Sequence, residues 1–190
     1  TAELTVSGST SGAQTVPFAS WLYNTALGRT SLDAGVWNFS TYAAVNTVGA
    51  ARVTTLTRAI YEVHTTPTLT VTISSSGTSR TVNASGGTPF NTPDMTASAT
   101  NTTASYLQTP AGLCQITARA SDTQVTISVP TTYGNDGGGA VAFQVWEKLF
   151  GATTPAVTAI IPNYSLIEFS VAQPATPIAV TSKLGAISFV

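Results

Sequence analysis

Alternation of apolar and polar residues at every second position is the dominant pattern of this 190-residue chain. Successive side chains of a β-strand point to opposite faces, so a period of two predicts a strand with one buried face. Turns rich in Gly, Ser, Asn and Pro separate the runs. The predicted strands are 3–7, 13–18, 35–45, 52–64, 68–74, 79–84, 113–120, 123–130, 140–150, 165–172, 176–182 and 185–190. This series predicts an all-β protein, a jelly-roll-like β-sandwich of antiparallel strands.

The length of the chain suits one domain with a real core. Residues 1–18 are predicted to form an N-terminal arm or edge strand, and residues 19–190 a single β-sandwich domain. Residues 85–111 are the least strand-like part and exceed an ordinary loop, which predicts a long excursion, a projecting arm or a small subdomain. The stretch 20–28 fits either a helical turn or an extended segment.

Charged residues are scarce, at 8% of the chain against about 25% in an average protein. The net charge is −1, with seven Lys and Arg, so no basic field favours nucleic acid or an anionic membrane surface. A surface with so little charge gives weak protection against association. We therefore expect a homo-oligomer or a component of an assembly, with neither nucleic acid nor a membrane as partner.

Other features exclude particular classes of protein. Cys114 is the single cysteine and cannot form an internal disulfide, so a small disulfide-stapled secreted domain is excluded. Cys114 lies in an apolar run and is expected to be a small buried side chain. The polar beginning "TAELTVSGSTSG" does not resemble a signal peptide, and no apolar run approaches the roughly 20 residues of a membrane span.

Residues for catalysis or metal binding are few. His64 is the only histidine, so any triad, proton shuttle or imidazole metal site must include it. Glu62 lies two positions away on the same face of the predicted strand, which is typical of a surface pair. Several acids occupy turn positions, as Asp136 does in "YGNDGGG" (133–139), a glycine-rich connection rather than a phosphate or Ca²⁺ loop. We predict no catalytic residue, cofactor or metal, and hence no enzyme.

The large aromatic side chains are the remaining candidates for a functional surface. In "DAGVWNFSTYAAV" (33–45) the alternation places Trp37 and Phe39 on one face and Tyr42 on the other. Exposed Trp rings can stack on sugars, but an alternating strand with apolar neighbours favours packing in a core or subunit interface. The candidate packing or interface residues are Trp21, Trp37, Phe39, Tyr42 and Trp146.

Two parts of the chain resemble a known group of proteins. The stretch "SLDAGVWNFSTYAAV", followed by "TTLTRAIYEV", resembles a strand pair of tailed-phage virion proteins, notably those of cyanophages. The closing "YSLIEFSVAQPATPIAVTSKLGAISFV" is similar to the final strands of jelly-roll decoration, baseplate or fibre domains. The resemblance covers roughly residues 30–75 and 160–190. The chain departs from it at Ser182, where an Asp stands in the "TDKL"-like step of those domains.

The resemblance implies a non-enzymatic virion protein assembled in the host cytoplasm. The leading expectation is a trimeric head-decoration (cement) protein that binds the major capsid protein lattice, with the N-terminal arm pairing with a neighbour's edge strand. The alternative is a tail-fibre or baseplate module that binds a receptor or carbohydrate through exposed aromatics and residues 85–111. A third hypothesis, a β-sandwich hydrolase acting through His64, finds little support in so poor an inventory of acids and bases.

Overall fold

The computed structural model describes residues 17–23, 30–49, 53–65, 68–74, 77–92, 95–96, 104–130, 133–134, 138–153, 156–172, 178–179 and 183–189. These residues form fourteen strands and no helix, and the predicted all-β class is confirmed. The strands are β1 (Pro17–Leu22), β2 (Ser31–Leu32), β3 (Val36–Ala43), β4 (Thr57–Thr65), β5 (Val71–Ile73), β6 (Ser79–Ala84), β7 (Tyr106–Thr109), β8 (Gly112–Ser121), β9 (Gln124–Ser128), β10 (Ala140–Val141), β11 (Gln144–Thr153), β12 (Ser165–Ala172), β13 (Ile178–Ala179) and β14 (Lys183–Phe189).

Ten of these strands form one large curled antiparallel sheet, as expected for a β-sandwich-like protein. Their order is β1-β14-β4-β11-β7-β8-β9-β6-β5-β10, so β1 and β10 are the outer strands among the described residues. Two small antiparallel pairs, β12 with β3 and β13 with β2, complete the described fold. No helix long and apolar enough to cross a membrane occurs in this part of the chain.

The main core lies inside the curled half of the sheet, between strands β5 to β9 and β11. Its buried members are Val71, Ile73, Val82, Phe90, Met95, Leu107, Cys114, Ile116, Val125, Ile127, Phe143 and Val145. On β9, for example, Val125 and Ile127 are two positions apart, so both side chains point to the same face and into this core. Cys114 is completely buried here, as its apolar run predicts.

Residues 85–111 are not a projecting arm where the structure describes them. Phe90 and Met95 are fully buried in the main core, and the Phe90 amide donates to the Asp122 carbonyl at 3.0 Å. Residues 106–109 form β7, which pairs with β8 and β11 in the middle of the sheet. The sequence hides this role because two apolar anchors are spread among Thr, Ser and Asn, and a four-residue strand leaves little alternation to detect.

The middle of β4, which pairs with β14 and β11, is buried on both faces because an apolar cluster packs on each face. On one face Tyr61 and Val63 pack with Trp146 and Ile187. On the other face Ile60 packs with residues of β11, β14 and the β3 side. The sequence predicts a strand at 52–64, whereas β4 begins at Thr57, where its pairing with β11 and β14 starts.

The β3–β12 pair lies over one part of the large sheet. Register pairs such as Phe39 with Phe169 run along its whole length. Trp37 and Phe39 face the buried Ile60 and Phe150, whereas Val36 and alternate positions after it are exposed.

Some strand bounds differ from those that the sequence predicts. The predicted strand 140–150 divides into β10 and β11, and the predicted strand 68–74 shortens to β5. Predicted strand 3–7, the arm before Pro17, and most of 20–28 and 176–182 lie outside the described residues.

Candidate functional site

An open apolar groove of about 410 Å³ lies between outer strand β1 and the β3–β12 pair. Its lining consists of Trp21, Leu22 and Tyr23 at the end of β1, Trp37 and Phe39 on β3, Ile60 on β4, and Leu184 and Gly185 on β14. The lining atoms are almost entirely apolar. Pockets of this size and character are the usual places where proteins bind ligands or partner side chains.

Strand pairing determines the exposed wall of the groove. Trp21 is opposite Ala186 on β14, and the Tyr23 amide donates to the Leu184 carbonyl at 2.9 Å. Because side chains alternate, Trp21 and Tyr23 lie on the same face of this extended segment. Trp21 is 50% exposed and Tyr23 57% exposed. These two rings are therefore available to a partner.

Arg58 connects the two walls of the groove. Its guanidinium carbon lies 5.3 Å from the ring centroid of Trp21 and 4.7 Å from that of Phe39, within the range of cation–π attraction. The same group donates a hydrogen bond of 3.2 Å to the Thr41 hydroxyl on β3. Burial lowers the pKa of Arg58 from its ordinary value, although an arginine stays protonated in proteins. The groove thus has aromatic walls and one cationic edge.

The outer face of the β3–β12 pair is a second exposed surface. Tyr42 and Leu166 are cross-strand neighbours there, 71% and 46% exposed, and Val36 is 62% exposed. Polar side chains lie between them: the Ser40 hydroxyl donates to the Glu168 carboxylate at 3.4 Å. This mixed face differs from the groove, because its apolar residues are separated by polar pairs.

Trp146 is buried rather than exposed, and its ring lies against Gly185 of the groove lining. It is 4% exposed, its ring meets Tyr61 edge-on at 6.2 Å, and its Nε1 donates to the Gln144 side chain at 3.3 Å. Of the five candidate residues, Trp21, Trp37 and Phe39 meet at the groove, Tyr42 lies on the outer face, and Trp146 is buried. An interface role for them stays a prediction.

A polar cluster, Glu62, His64 and Glu147, lies on neighbouring strands β4 and β11. His64 Nε2 is 2.9 Å from Glu147 Oε2 and 3.8 Å from Glu62 Oε2. Glu62 and Glu147 are directly opposite in the strand register. The Thr92 hydroxyl donates to the second oxygen of Glu147 at 2.6 Å.

The hydrogen bond between His64 and Glu147 changes the acidity of both groups. For His64 that bond and the two carboxylate charges outweigh burial, so its pKa is raised above 6.5. For Glu147 burial acts to raise the pKa, but hydrogen bonds from His64 and Thr92, with the imidazolium charge, together lower it below 4.5. His64 thus lies nearer to Glu147, 83 residues away, than to Glu62, the nearest carboxylate in the sequence.

Several residues of these two sites carry no signal in the sequence. Arg58 and Tyr23 reach the groove through pairing between strands distant in the chain, whereas Thr92, which lies outside the strands, reaches Glu147 through its hydroxyl. The alternation in 57–64 does place Arg58, Glu62 and His64 on one face, but it does not indicate which residues of other strands meet them.

No family model, curated protein or solved structure matches the chain.

Proposed function

We propose that this protein is a non-enzymatic virion structural protein, a capsid-decoration (cement) protein that oligomerises as a trimer and binds the major capsid protein lattice. The resemblance of residues 30–75 and 160–190 to tailed-phage virion proteins supports this role. The low charged fraction, 8%, also supports it, because such a surface suits a protein covered by neighbours.

The aromatic groove beside β1 is the observation on which the attachment mechanism depends. Trp, Tyr and Arg are the side chains that most often dominate protein–protein binding energy, and the groove has Trp21, Tyr23 and Arg58 together. Among the described strands β1 pairs only with β14, so its other edge offers backbone groups to an added strand. An extended capsid segment with one apolar anchor fits both features.

Particle binding by groove variants tests this attachment. Trp21→Ala should weaken binding to undecorated capsids at least about 30-fold, the equivalent of a loss of about 2 kcal/mol. Tyr42→Ala on the outer face of β3, which removes a ring more exposed than that of Trp21, is the matched control and should bind normally. Unchanged occupancy by Trp21→Ala, measured by cosedimentation, would contradict attachment through the groove.

A tail-fibre or baseplate module that binds carbohydrate is the second candidate, because the exposed Trp21 and Tyr23 rings are suited to stacking on sugars. The near absence of polar atoms in the groove favours the first candidate, since sugar recognition needs hydrogen-bond partners for hydroxyl groups. Copy number per particle separates the two: hundreds indicate decoration, a handful indicate a tail. Glycan-array binding that Trp21→Ala abolishes would support the tail module.

A further inference from the structure

We propose that Glu62, His64 and Glu147 bind one divalent transition-metal ion of the Zn²⁺ type, with water completing its coordination. The three donor atoms, one imidazole nitrogen and two carboxylate oxygens, lie within 4.8 Å of one another. This site is separate from the groove and independent of the proposed attachment.

The separations match the size of such a site. Zn²⁺ binds nitrogen and oxygen at about 2.1 Å, which places tetrahedral ligands about 3.4 Å apart. The two distances from His64 Nε2, 2.9 Å to Glu147 and 3.8 Å to Glu62, lie on either side of that value. Small movements at side-chain ends would bring the two pairs that include His64 to that value, and the two carboxylate oxygens lie within 4.8 Å of each other.

The chemistry of the donors selects the class of metal. An imidazole with two carboxylates suits Zn²⁺ and its first-row neighbours, whereas Ca²⁺ and Mg²⁺ prefer oxygen ligands alone. Glu62 and Glu147 face each other across paired strands, an arrangement that repels when both are ionised and that a divalent cation relieves. The ion would take the place of the proton on His64 Nε2 and attract both carboxylates.

The surroundings hold the ligands in place and leave an entry route. β4 and β11 are inner strands of the sheet, so the three ligands stand on paired backbone. The Thr92 hydroxyl holds the second oxygen of Glu147, as partners outside the coordination sphere commonly do. The His64 side chain is 30% exposed and that of Glu147 19%, so water and metal can reach the site. A bound ion would connect both strands, through Thr92, to the segment containing Phe90.

Titration of the chelator-treated full chain with Zn²⁺, followed by calorimetry and thermal melts, tests the site. We expect one Zn²⁺ per chain and a raised Tm, with no comparable effect of Mg²⁺ or Ca²⁺. Glu147→Gln, which keeps the acceptor for Thr92, and His64→Ala should each weaken Zn²⁺ binding more than 10-fold, and Thr92→Val about 10-fold. Glu168→Gln, an exposed acid on β12, is the control and should bind normally.

The proposal fails if Zn²⁺ does not saturate the wild type at millimolar concentration, or if Glu147→Gln and His64→Ala bind as the wild type does. Melts in chelator establish whether each variant folds. If one does not, the Co²⁺ spectrum of the wild-type protein still decides. Bands of a nitrogen- and oxygen-ligated ion support the site, whereas a thiolate-to-cobalt band would place the ion on Cys114 and overturn it.

Discussion

Gly185 on β14 lies directly against the indole ring of Trp146 on β11. A Cβ atom at position 185 would be 2.6 Å from Trp146 Cζ3 and 3.0 Å from Val63 Cγ2. Glycine inside a strand often marks such a close approach. The "KLGA" step near the end of the chain thus has a structural reason: the missing side chain makes room for the largest ring of the Tyr61–Trp146 cluster.

Gly185→Ala should lower the free energy of unfolding by about 1–3 kcal/mol, because an added methyl group overpacks the buried cluster. Gly49→Ala is the matched control, since nothing lies within 4 Å of a Cβ there. Urea unfolding of both variants measures the difference. Equal stability of the two variants would show that Trp146 can move aside without cost.

Tyr61→Phe should raise the free energy of unfolding by about 1 kcal/mol, since a buried hydroxyl without a partner costs desolvation energy. The Tyr61 hydroxyl is buried and has no hydrogen-bond partner among the described residues. Burial also raises the pKa of this phenol well above 10. Tyr133→Phe is the control, because it removes a hydroxyl that is hydrogen-bonded to the Thr109 hydroxyl at 2.8 Å. Its free energy of unfolding should fall by about 1 kcal/mol. Destabilisation by Tyr61→Phe would indicate a bound water.

Phe90→Ala should lower the free energy of unfolding by about 3–5 kcal/mol, the range for removing a buried phenylalanine. Phe90 is fully buried against Phe143, with ring centroids 6.1 Å apart, although it lies in the segment predicted as an excursion. Asn91→Ala, an exposed neighbour, should change stability by less than about 0.5 kcal/mol. Near-wild-type stability of Phe90→Ala would mean that this segment is not part of the core.

Sequence patterns predicted the local part of the fold well. Residues 79–84 and 165–172 are strands at the predicted bounds, because each alternates cleanly between turn residues. Strand β7 was missed, since its pairing with β8 and β11 comes from contacts distant in the chain. The period of two shows which residues share a face of a strand, whereas the order of strands in the sheet depends on which strands pair.

The same limit applies to the candidate sites. Alternation placed Trp37 and Phe39 on one face of β3, but the groove also needs Trp21 from the sheet edge and Arg58 from β4. Likewise His64 and Glu62 were recognisable as a pair, whereas Glu147 joins them only through the register of β4 with β11. Residues brought together by strand pairing leave no periodic signal in the sequence.

The stabilisation from the His64–Glu147 pair should decrease above about pH 6.5 in metal-free protein. The pKa of His64 is raised on folding, so its contribution is complete below 6.5 and is lost as pH rises through the raised value. The pKa of Glu147 is lowered, so its contribution is present above 4.5 and is lost as pH falls through the lowered value. The pair therefore contributes most between pH 4.5 and 6.5.

Urea unfolding of wild type and His64→Gln in chelator, from acidic to mildly alkaline pH, measures this contribution. The gap in free energy between the two proteins should narrow as pH rises past 6.5. The gap between wild type and Gly185→Ala, which removes no titrating group, should stay constant. A His64→Gln gap that does not vary with pH would show that folding does not raise the pKa of His64.

Arg58→Lys should weaken the packing of Trp21 at the groove while leaving the fold intact. A lysine keeps the charge but loses the planar guanidinium that stacks between Trp21 and Phe39 and bonds Thr41. We expect a loss of about 1 kcal/mol in unfolding free energy, from one cation–π contact and one hydrogen bond.

Fluorescence quenching by acrylamide measures the effect on Trp21. Quenching should be stronger in the Arg58→Lys variant, because Trp21 loses its packing partner. Arg80→Lys, whose guanidinium lies 5.8 Å from the Tyr133 ring centroid, is the control and should leave quenching unchanged. Equal quenching in wild type and Arg58→Lys would mean that Arg58 does not position Trp21.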